Sequence, residues 1–192
     1  MLKSPLLRLI PLVVLSGLIY FLWQVAGDRV EQYFHPELAP QAIRVGTPAK
    51  DFQVDATQLL AKQKFQLSSL KGTPVLLHFW ATWCGPCLGE LPELIKQAEA
   101  LRKLGYSVVT VAEDSDWRAV DRFFFQFPQL KAMQSLMVIV LDPKSEIANL
   151  YGSQQFPETF LINQDFVVDN KFVGAQNWSH PAMQSYLDRL RK

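Results

Sequence analysis

The only two cysteines of the chain, Cys84 and Cys87, lie three positions apart within the stretch "FWATWCGPCLGELPEL", residues 79–94. They follow an apolar run and stand at the start of a predicted helix. Thiols at this spacing are typical of three kinds of site: a zinc site, a structural disulfide or a redox-active pair. The function of the chain depends on which of these the cysteines form.

Zinc and a purely structural disulfide both fit the sequence poorly. A structural zinc site needs four Cys or His ligands, and the other candidates are scattered histidines in a linker, a buried strand and a helix start: His35, His78 and His180. A disulfide across two intervening residues would constrain the unfolded chain very little. The sequence therefore favours redox chemistry.

A redox pair explains each residue of the motif. At the helix N-terminus, unpaired N–H groups and the helix dipole favour an anion and lower the thiol pKa of Cys84. Gly85 keeps the approach open, and Pro86 fits a first turn that needs no N–H from it. Cys87, one turn further, faces inward and is close enough to form a disulfide with Cys84. We expect Cys84 to attack a substrate disulfide and Cys87 to resolve the mixed disulfide, with no other cofactor and no metal. The alternative is a binding module in which both thiolates hold Cu(I).

The surrounding pattern predicts a three-layer α/β domain with a mixed central sheet. Elements follow in the order β-α-β-α-β-α-β-β-α, in which alternation implies parallel crossovers and the last strand pair implies a hairpin. "TPVLLHFWA" has the continuous apolar character of a central strand. The other predicted strands are Tyr106–Glu113, "LMVIVLD", "TFLIN" and "VVDNKFVG", and the predicted helices are Gly85–Leu104, a helix capped by Ser115 through Phe125, Ser145–Tyr151, and a helix capped by Ser179 to Leu190.

The N-terminal segment predicts a membrane anchor. Leu9 to Gly27 contains no charged residue, and as a helix it would span roughly 28 Å, close to a bilayer core. Lys3 and Arg8 precede it, which places the N-terminus in the cytoplasm and the rest of the chain outside. We expect a cytoplasmic tail (1–8), a transmembrane anchor (9–27), a linker (28–45) and one domain (46–192). A cleaved signal peptide is the alternative.

Composition and charge limit the partners. The net charge is +1 and no basic patch interrupts the sequence, so nucleic acid is not an expected partner. A lipid anchor is not expected, since no cysteine lies near the N-terminal segment.

Longer motifs resemble one group within the thioredoxin superfamily. "KGTPVLLHFWATWCGPCLGELPEL", "VVTVAED", "LDPKSEIANLYG" and "FPETFLIN" are similar to the membrane-anchored, extracytoplasmic TlpA/ResA/DsbE proteins. The resemblance implies a thioredoxin-like fold and a thiol–disulfide oxidoreductase at the periplasmic side of the inner membrane. Expected partners are client proteins with disulfides or CxxC thiols, in cytochrome c maturation or at copper-site cysteines, and a transmembrane thiol electron donor. A disulfide oxidase or isomerase is the alternative within the same fold.

The resemblance also implies supporting residues. Pro157 matches the cis-proline beside the cysteines, which would turn the backbone of Phe156 toward an extended substrate peptide. Trp83 is expected to cover the dithiol and to form part of the docking surface with Phe156 and Pro157, whereas Trp80 is expected in the core. The phenylalanines at 123–125 are expected to pack inward, at least in part.

Two positions leave their roles open. His78 stands where thioredoxin has a buried Asp, so it is either a proton relay to Cys87 or a neutral, hydrogen-bonded strand residue. The resemblance implies a functional carboxylate near the end of the following strand, where Glu113, Asp114 and Asp116 are the candidates; the alternative is that Glu113 is only a solvated charge at a strand end.

Overall fold

The computed structural model describes residues 16–18, 20–21, 43–55 and 59–190. The chain divides into two compact units, residues 1–41 and 42–192. Of the first unit, residues 16–18 and 20–21 are helical, and the rest of the predicted anchor and most of the predicted linker lie outside the described residues. Within the described ranges, no helix has both the length and the apolar character needed to cross a membrane.

A five-stranded mixed sheet forms the centre of the second unit. Its order is β5-β4-β3-β6-β7, and its strands are β3 (Val75–Trp80), β4 (Ser107–Ala112), β5 (Val138–Leu141), β6 (Glu158–Ile162) and β7 (Val168–Val173). β3, β4 and β5 are parallel, whereas β6 and β7 run antiparallel as a hairpin. A small antiparallel pair, β1 (Gln53–Val54) and β2 (Phe65–Gln66), precedes the sheet. The predicted mixed sheet and its final hairpin are confirmed.

Strand β3 separates two hydrophobic cores. All six of its residues are buried, and because successive side chains point to opposite faces, Leu76 and Trp80 pack in one core and Leu77 and Phe79 in the other. The first core also receives the helices α1 (Gly85–Lys103), α2 (Trp117–Gln126), α3 (Met133–Leu136) and α5 (Pro181–Leu190); the second receives α4 (Glu146–Tyr151). Trp80 is a core residue, as expected.

An apolar face packs helix α1 against the sheet, and a glycine marks its C-terminal end. Four of its residues at helical spacing are almost fully buried: Leu91, Leu94, Ala98 and Leu101. This spacing places one face of the helix against the sheet. After Lys103 the chain turns at Gly105, whose φ of +86° is readily adopted only by glycine. The packing of α1 against the sheet therefore fixes the position of its N-terminal end, where the cysteines lie.

Two helices begin later than predicted. The N-cap of α2 is Asp116 rather than Ser115, because the Asp116 carboxylate accepts a hydrogen bond from the Ala119 amide. The last helix begins at Pro181 rather than directly after Ser179, whose hydroxyl instead hydrogen-bonds the Glu93 carboxylate of α1.

The cap of α2 gives a direct test of this difference. Replacing Asp116 with Ala should lower the free energy of unfolding by about 1 kcal/mol, because an amide of the first turn loses its acceptor. Ser115→Ala is the matched control and should change stability by less than about 0.3 kcal/mol, as expected for an exposed side chain outside a cap. Urea unfolding measures both, and a larger effect at Ser115 would contradict the assignment.

The apolar face of α2 follows the predicted pattern only in part. Phe123 and Phe124 are buried, but Phe125 is 85% exposed. The three consecutive residues span about 200° around the helix, so one of them must face solvent.

Candidate active site

Cys84 occupies the N-cap of α1. Its backbone is extended (φ −86°, ψ 101°), and its Sγ accepts a hydrogen bond from the Cys87 amide at 3.2 Å. Gly85 and Pro86 form the exposed first positions of the helix. The arrangement aims a backbone N–H, at the positive end of the helix dipole, at the first sulfur.

The two cysteines form a disulfide whose Cα atoms are 5.3 Å apart. Cys84 retains 5% exposure, while Cys87 is completely buried. A partner sulfur can therefore approach Cys84 first, and Cys87 is reached only through Cys84. This asymmetry matches the attacking and resolving roles expected of the pair.

Trp83 and Phe156 stand beside the disulfide. Trp83 is 67% exposed, its ring meets the Phe156 ring edge-on at 5.9 Å, and its indole N–H donates to the Glu113 carbonyl at 3.1 Å. The hydrogen bond fixes one edge of the indole, so the ring presents its apolar surface to solvent.

The bond between Phe156 and Pro157 is cis, as predicted. The Pro157 carbonyl accepts a hydrogen bond from the Gly174 amide at 2.8 Å. Within residues 43–55 and 59–190, the backbone of Phe156 makes no hydrogen bond. Its amide and carbonyl are therefore available to an extended peptide.

The loop between β3 and α1 is held by Asp114. The Asp114 carboxylate accepts hydrogen bonds from the Thr82 amide (3.1 Å) and the Thr82 hydroxyl (2.6 Å). Of the three acidic candidates, Asp114 thus positions the loop that leads to Cys84, whereas Asp116 serves as a helix cap and pairs with Arg118.

Glu113 touches the site through its backbone, and its side chain faces the other core. Along β4, Ala112 belongs to the core on the α1 side and Val111 to the opposite one, so the alternation directs Glu113 toward α4. Burial, with the neighbouring carboxylates of Asp142 and Asp114, raises the pKa of Glu113 to about 8. Glu113 is therefore protonated at neutral pH.

His78 lies fully buried in β3, on the face that carries the cysteines. Leu76 and Trp80, on either side of it in the alternation, belong to the same core as Cys84 and Cys87. Its Nδ1 is 2.9 Å from the Thr159 hydroxyl, and no partner of its Nε2 is found in the described part of the chain. Burial lowers the pKa of His78 to about 3, so the imidazole is neutral at physiological pH.

Glu90 is a buried carboxylate that sequence reasoning missed. Its Oε1 accepts hydrogen bonds from the Gln176 amide (3.1 Å) and the Trp178 indole (2.5 Å). Burial raises the pKa of Glu90, and the two hydrogen bonds oppose that rise. Its position three residues after Cys87, next to Leu91 on the buried stripe, is the signal that could have identified it.

Comparison with known proteins places the chain among thiol–disulfide oxidoreductases. Residues 45–172 match the AhpC/TSA family. The thiol-disulfide oxidoreductase ResA of Bacillus cereus is 31% identical over 185 residues, which are 96% of this chain and 95% of that protein. A thiol:disulfide interchange protein, DsbE, from Chlorobium tepidum superposes with a TM-score of 0.68 at 26% identity, covering 79% of this chain and all of that one. StoA from Bacillus subtilis shares the fold, with a TM-score of 0.55 at 24% identity over 77% of this chain and 99% of that chain.

Proposed function

Because the chain belongs to the AhpC/TSA family and is a thiol–disulfide oxidoreductase of thioredoxin-like fold, we propose that it reduces disulfides of client proteins outside the cytoplasmic membrane. The observation that carries the proposal is the unequal accessibility of a disulfide at a helix N-terminus, in which Cys84 is 5% exposed and Cys87 is completely buried. Client cysteines in cytochrome c maturation or at copper sites are the substrate classes that the sequence resemblance suggests.

The exchange proceeds in two displacements. The Cys84 thiolate attacks one client sulfur, forms a mixed disulfide and releases the other client sulfur as a thiolate. Cys87 then loses its proton and attacks the Cys84 sulfur, which breaks the mixed disulfide and releases the second client thiolate. Two electrons pass from the protein dithiol to the client, and a transmembrane thiol carrier is the proposed source of their replacement.

The residues around the cysteines have supporting roles in this scheme. The Cys87 amide donates a hydrogen bond to the Cys84 sulfur in the disulfide form; after reduction, the same N–H stabilises the negative charge of the Cys84 thiolate. Phe156 offers its backbone amide and carbonyl to an extended client segment, the cis Pro157 turns them toward that segment, and Trp83 covers it. His78 acts as a neutral hydrogen-bonding group beneath the pair, because its low pKa opposes the gain of a proton at neutral pH. Glu113 is protonated at neutral pH, so its side chain adds no negative charge next to the site. Its backbone carbonyl accepts the hydrogen bond of the Trp83 indole.

The location proposed for this chemistry depends on the N-terminal segment. Leu9–Gly27 lacks charge and follows Lys3 and Arg8, a pattern that favours a single-pass anchor with the catalytic domain outside. Reduction is favoured over oxidation by the Gly85-Pro86 pair, which resembles that of thioredoxin and differs from strongly oxidising relatives.

The experiment that tests the proposal follows single-turnover exchange and alkylation of the reduced full-length protein. We expect one equivalent of bis(2-hydroxyethyl) disulfide to be reduced per chain, and Cys84 to be alkylated with an apparent pKa below the usual ~8.5 of a free thiol. The reduction potential should lie near the roughly −270 mV of thioredoxin. A potential near −120 mV would indicate an oxidase instead, and stoichiometric Cu(I) binding without exchange would indicate a copper-binding module.

The same alkylation experiment tests His78. In His78→Asn, the pH profile of Cys87 reactivity should coincide with that of the wild type, because a neutral imidazole and an amide offer similar hydrogen bonds. A displacement of the profile by a pH unit or more would show that His78 relays a proton.

A further inference from the structure

Eight Lys and Arg side chains lie at the end of the central sheet opposite the disulfide. At this end β3, β4, β5 and β7 begin and β6 ends, whereas Cys84 follows the other end of β3. Five segments form this part of the molecule, residues 43–51, 59–74, 99–107, 127–137 and 163–167, and we call their exposed part the basic end. Its basic residues, all of them exposed, are Arg44, Lys50, Lys62, Lys64, Lys71, Arg102, Lys103 and Lys131.

Hydrogen bonds join the five segments of the basic end to one another. Four of them run from the Ala49 amide to the Phe166 carbonyl (2.8 Å), from the Gly72 amide to the Gln164 carbonyl (3.0 Å), from the Ser107 amide to the Pro74 carbonyl (2.9 Å), and from the Arg102 guanidinium to the Ser135 carbonyl (3.1 Å). The basic end is therefore one continuous surface, although its residues are scattered along the chain and form no basic run in the sequence.

Charge is distributed unevenly between the two ends of the sheet. The segments of the basic end contain eight basic residues and three acidic ones, Asp51, Glu99 and Asp165. The loops at the disulfide end contain five acidic residues and two basic ones; these loops are residues 81–84, 113–118, 142–146, 152–157 and 174–180. Among the described residues, Lys103 is the one member of the eight that forms an ion pair, with Glu99 at 3.2 Å. The basic end therefore presents a positive field to its surroundings.

The place of the basic end in the chain favours a bilayer as its partner. The described part of this unit starts at position 43, and the Gly46 amide donates to the Val168 carbonyl at 2.8 Å, where β7 begins. The uncharged segment Leu9–Gly27, the proposed anchor, precedes this point in the sequence. Val45, beside Arg44, is 57% exposed. Basic side chains mixed with an exposed apolar one are typical of surfaces that meet lipid headgroups.

We propose that the basic end binds the anionic headgroups of the bilayer that holds the anchor, so that the disulfide faces away from the bilayer. This inference goes beyond the exchange reaction and rests on the proposed membrane location. Each Lys or Arg close to an anionic leaflet strengthens association about fivefold. β3 has six residues, so at about 3.3 Å per residue it separates the disulfide from the basic end by roughly 20 Å. A client therefore approaches Cys84 from the aqueous side.

The test measures lysine reactivity in the full-length protein reconstituted into two kinds of nanodisc. One kind contains phosphatidylcholine alone, and the other also contains about 30% phosphatidylglycerol, an anionic lipid. Acetylation by the neutral reagent N-acetoxysuccinimide, followed by mass spectrometry of peptides, gives a rate for each lysine. At about 20 mM salt the anionic bilayer should slow Lys64 and Lys131 at least about threefold, because headgroups cover their amines and favour the charged form. Lys144, at the disulfide end, should change by less than about 1.5-fold, and about 500 mM salt should abolish the difference.

Two charge-matched variants locate the interaction on the basic end. The first combines three substitutions within one of its segments: Lys62→Gln, Lys64→Gln and Lys71→Gln. In this variant the protection of Lys131 should fall below about 1.5-fold, because three exposed charges are lost. The control combines three exposed basic residues outside the basic end, Lys96→Gln, Arg122→Gln and Lys144→Gln, and it should keep the protection of Lys131. Equal losses in both variants would overturn the assignment to this surface.

Failure of this inference and failure of the proposed function have different signatures. If the lysines react alike in both nanodiscs, or if Lys144 slows as much as Lys131, binding through the basic end is overturned and exchange at Cys84 stands. If soluble polyglutamate protects the same lysines in phosphatidylcholine nanodiscs more strongly than the anionic bilayer does, an acidic protein replaces lipid as the partner. If the protein enters neither nanodisc, the membrane location and this inference fail together. Loss of bis(2-hydroxyethyl) disulfide reduction by the wild type would instead contradict the oxidoreductase function.

Discussion

Replacing Cys87 with Ser is expected to stop turnover and to leave the substrate covalently attached to Cys84. The variant keeps the sulfur that a partner can reach and loses the one that is enclosed. In the wild type, resolution is intramolecular across one helical turn, and such reactions have very large effective concentrations. The mixed disulfide should therefore live at least about a thousandfold longer in the variant than in the wild type.

Intact mass spectrometry measures this outcome with a synthetic peptide that contains one internal disulfide as the substrate. The expected mass is that of one chain plus one peptide, and it should disappear on addition of dithiothreitol. Cys84→Ser is the matched control: it retains only the buried Cys87, so it should form no adduct under the same conditions. An adduct on Cys87 in that control, or continued turnover by Cys87→Ser, would show that the roles of the two cysteines are misassigned.

Replacing Glu113 with Gln is expected to stabilise the oxidised protein at high pH and to leave it unaffected at low pH. The pKa of Glu113 is raised from its ordinary 4.5 to about 8, chiefly by burial. Between these values the folded protein keeps a proton that the unfolded chain has released, so stability falls as pH rises from about 4.5 to 8. Below this window both states are protonated, and above it both are ionised, so Glu113 makes no further change in stability with pH in either range.

The size of the effect follows from the same linkage. After an allowance of about half for solvent screening at the strand end, the wild type should lose about 2 kcal/mol across this window on account of Glu113. Urea unfolding should therefore show that the free energy of unfolding of Glu113→Gln, relative to that of the wild type, increases by about that amount between pH 4.5 and pH 8.5. Glu99→Gln, at an exposed position of α1, is the control and should run parallel to the wild type. A parallel course for Glu113→Gln would contradict the raised pKa.

The strands, the helices and the final hairpin could largely be predicted, because each is indicated by a pattern of apolar and polar residues that repeats along the element. The apolar run of β3 indicated a strand buried on both faces, and the spacing of Leu91, Leu94 and Leu101 indicated the buried side of α1. The final hairpin followed from two strands linked by a short polar turn. These predictions rest on many residues each, so a single unfavourable residue, such as Pro92 inside α1, does not change them.

Helix starts and the directions of individual carboxylates could not be predicted, because each depends on one residue. Ser115 and Asp116 are both good caps, and only the path of the chain after β4 decides that the Asp116 carboxylate meets the first turn. The Glu113 side chain points toward α4 because successive side chains of β4 alternate between the two faces of the sheet, and the register of β4 decides which face each one occupies. Helical spacing indicates that Glu90 lies on the buried stripe of α1, but its hydrogen-bond donors could not be predicted, because Gln176 and Trp178 lie 86 and 88 residues later in the chain.

The short spacing of the redox pair connects two quantities that are usually measured separately. Because the Cys84–Cys87 bridge encloses only two residues, closing it in an unfolded chain restricts that chain very little. In the thermodynamic cycle that joins oxidised and reduced, folded and unfolded forms, the unfolded side then resembles a simple flexible dithiol. Any difference in conformational stability between the two redox forms consequently reports how strongly the native fold favours the thiols over the bridge, and the electron-donating strength of the enzyme can be read from a pair of denaturation curves.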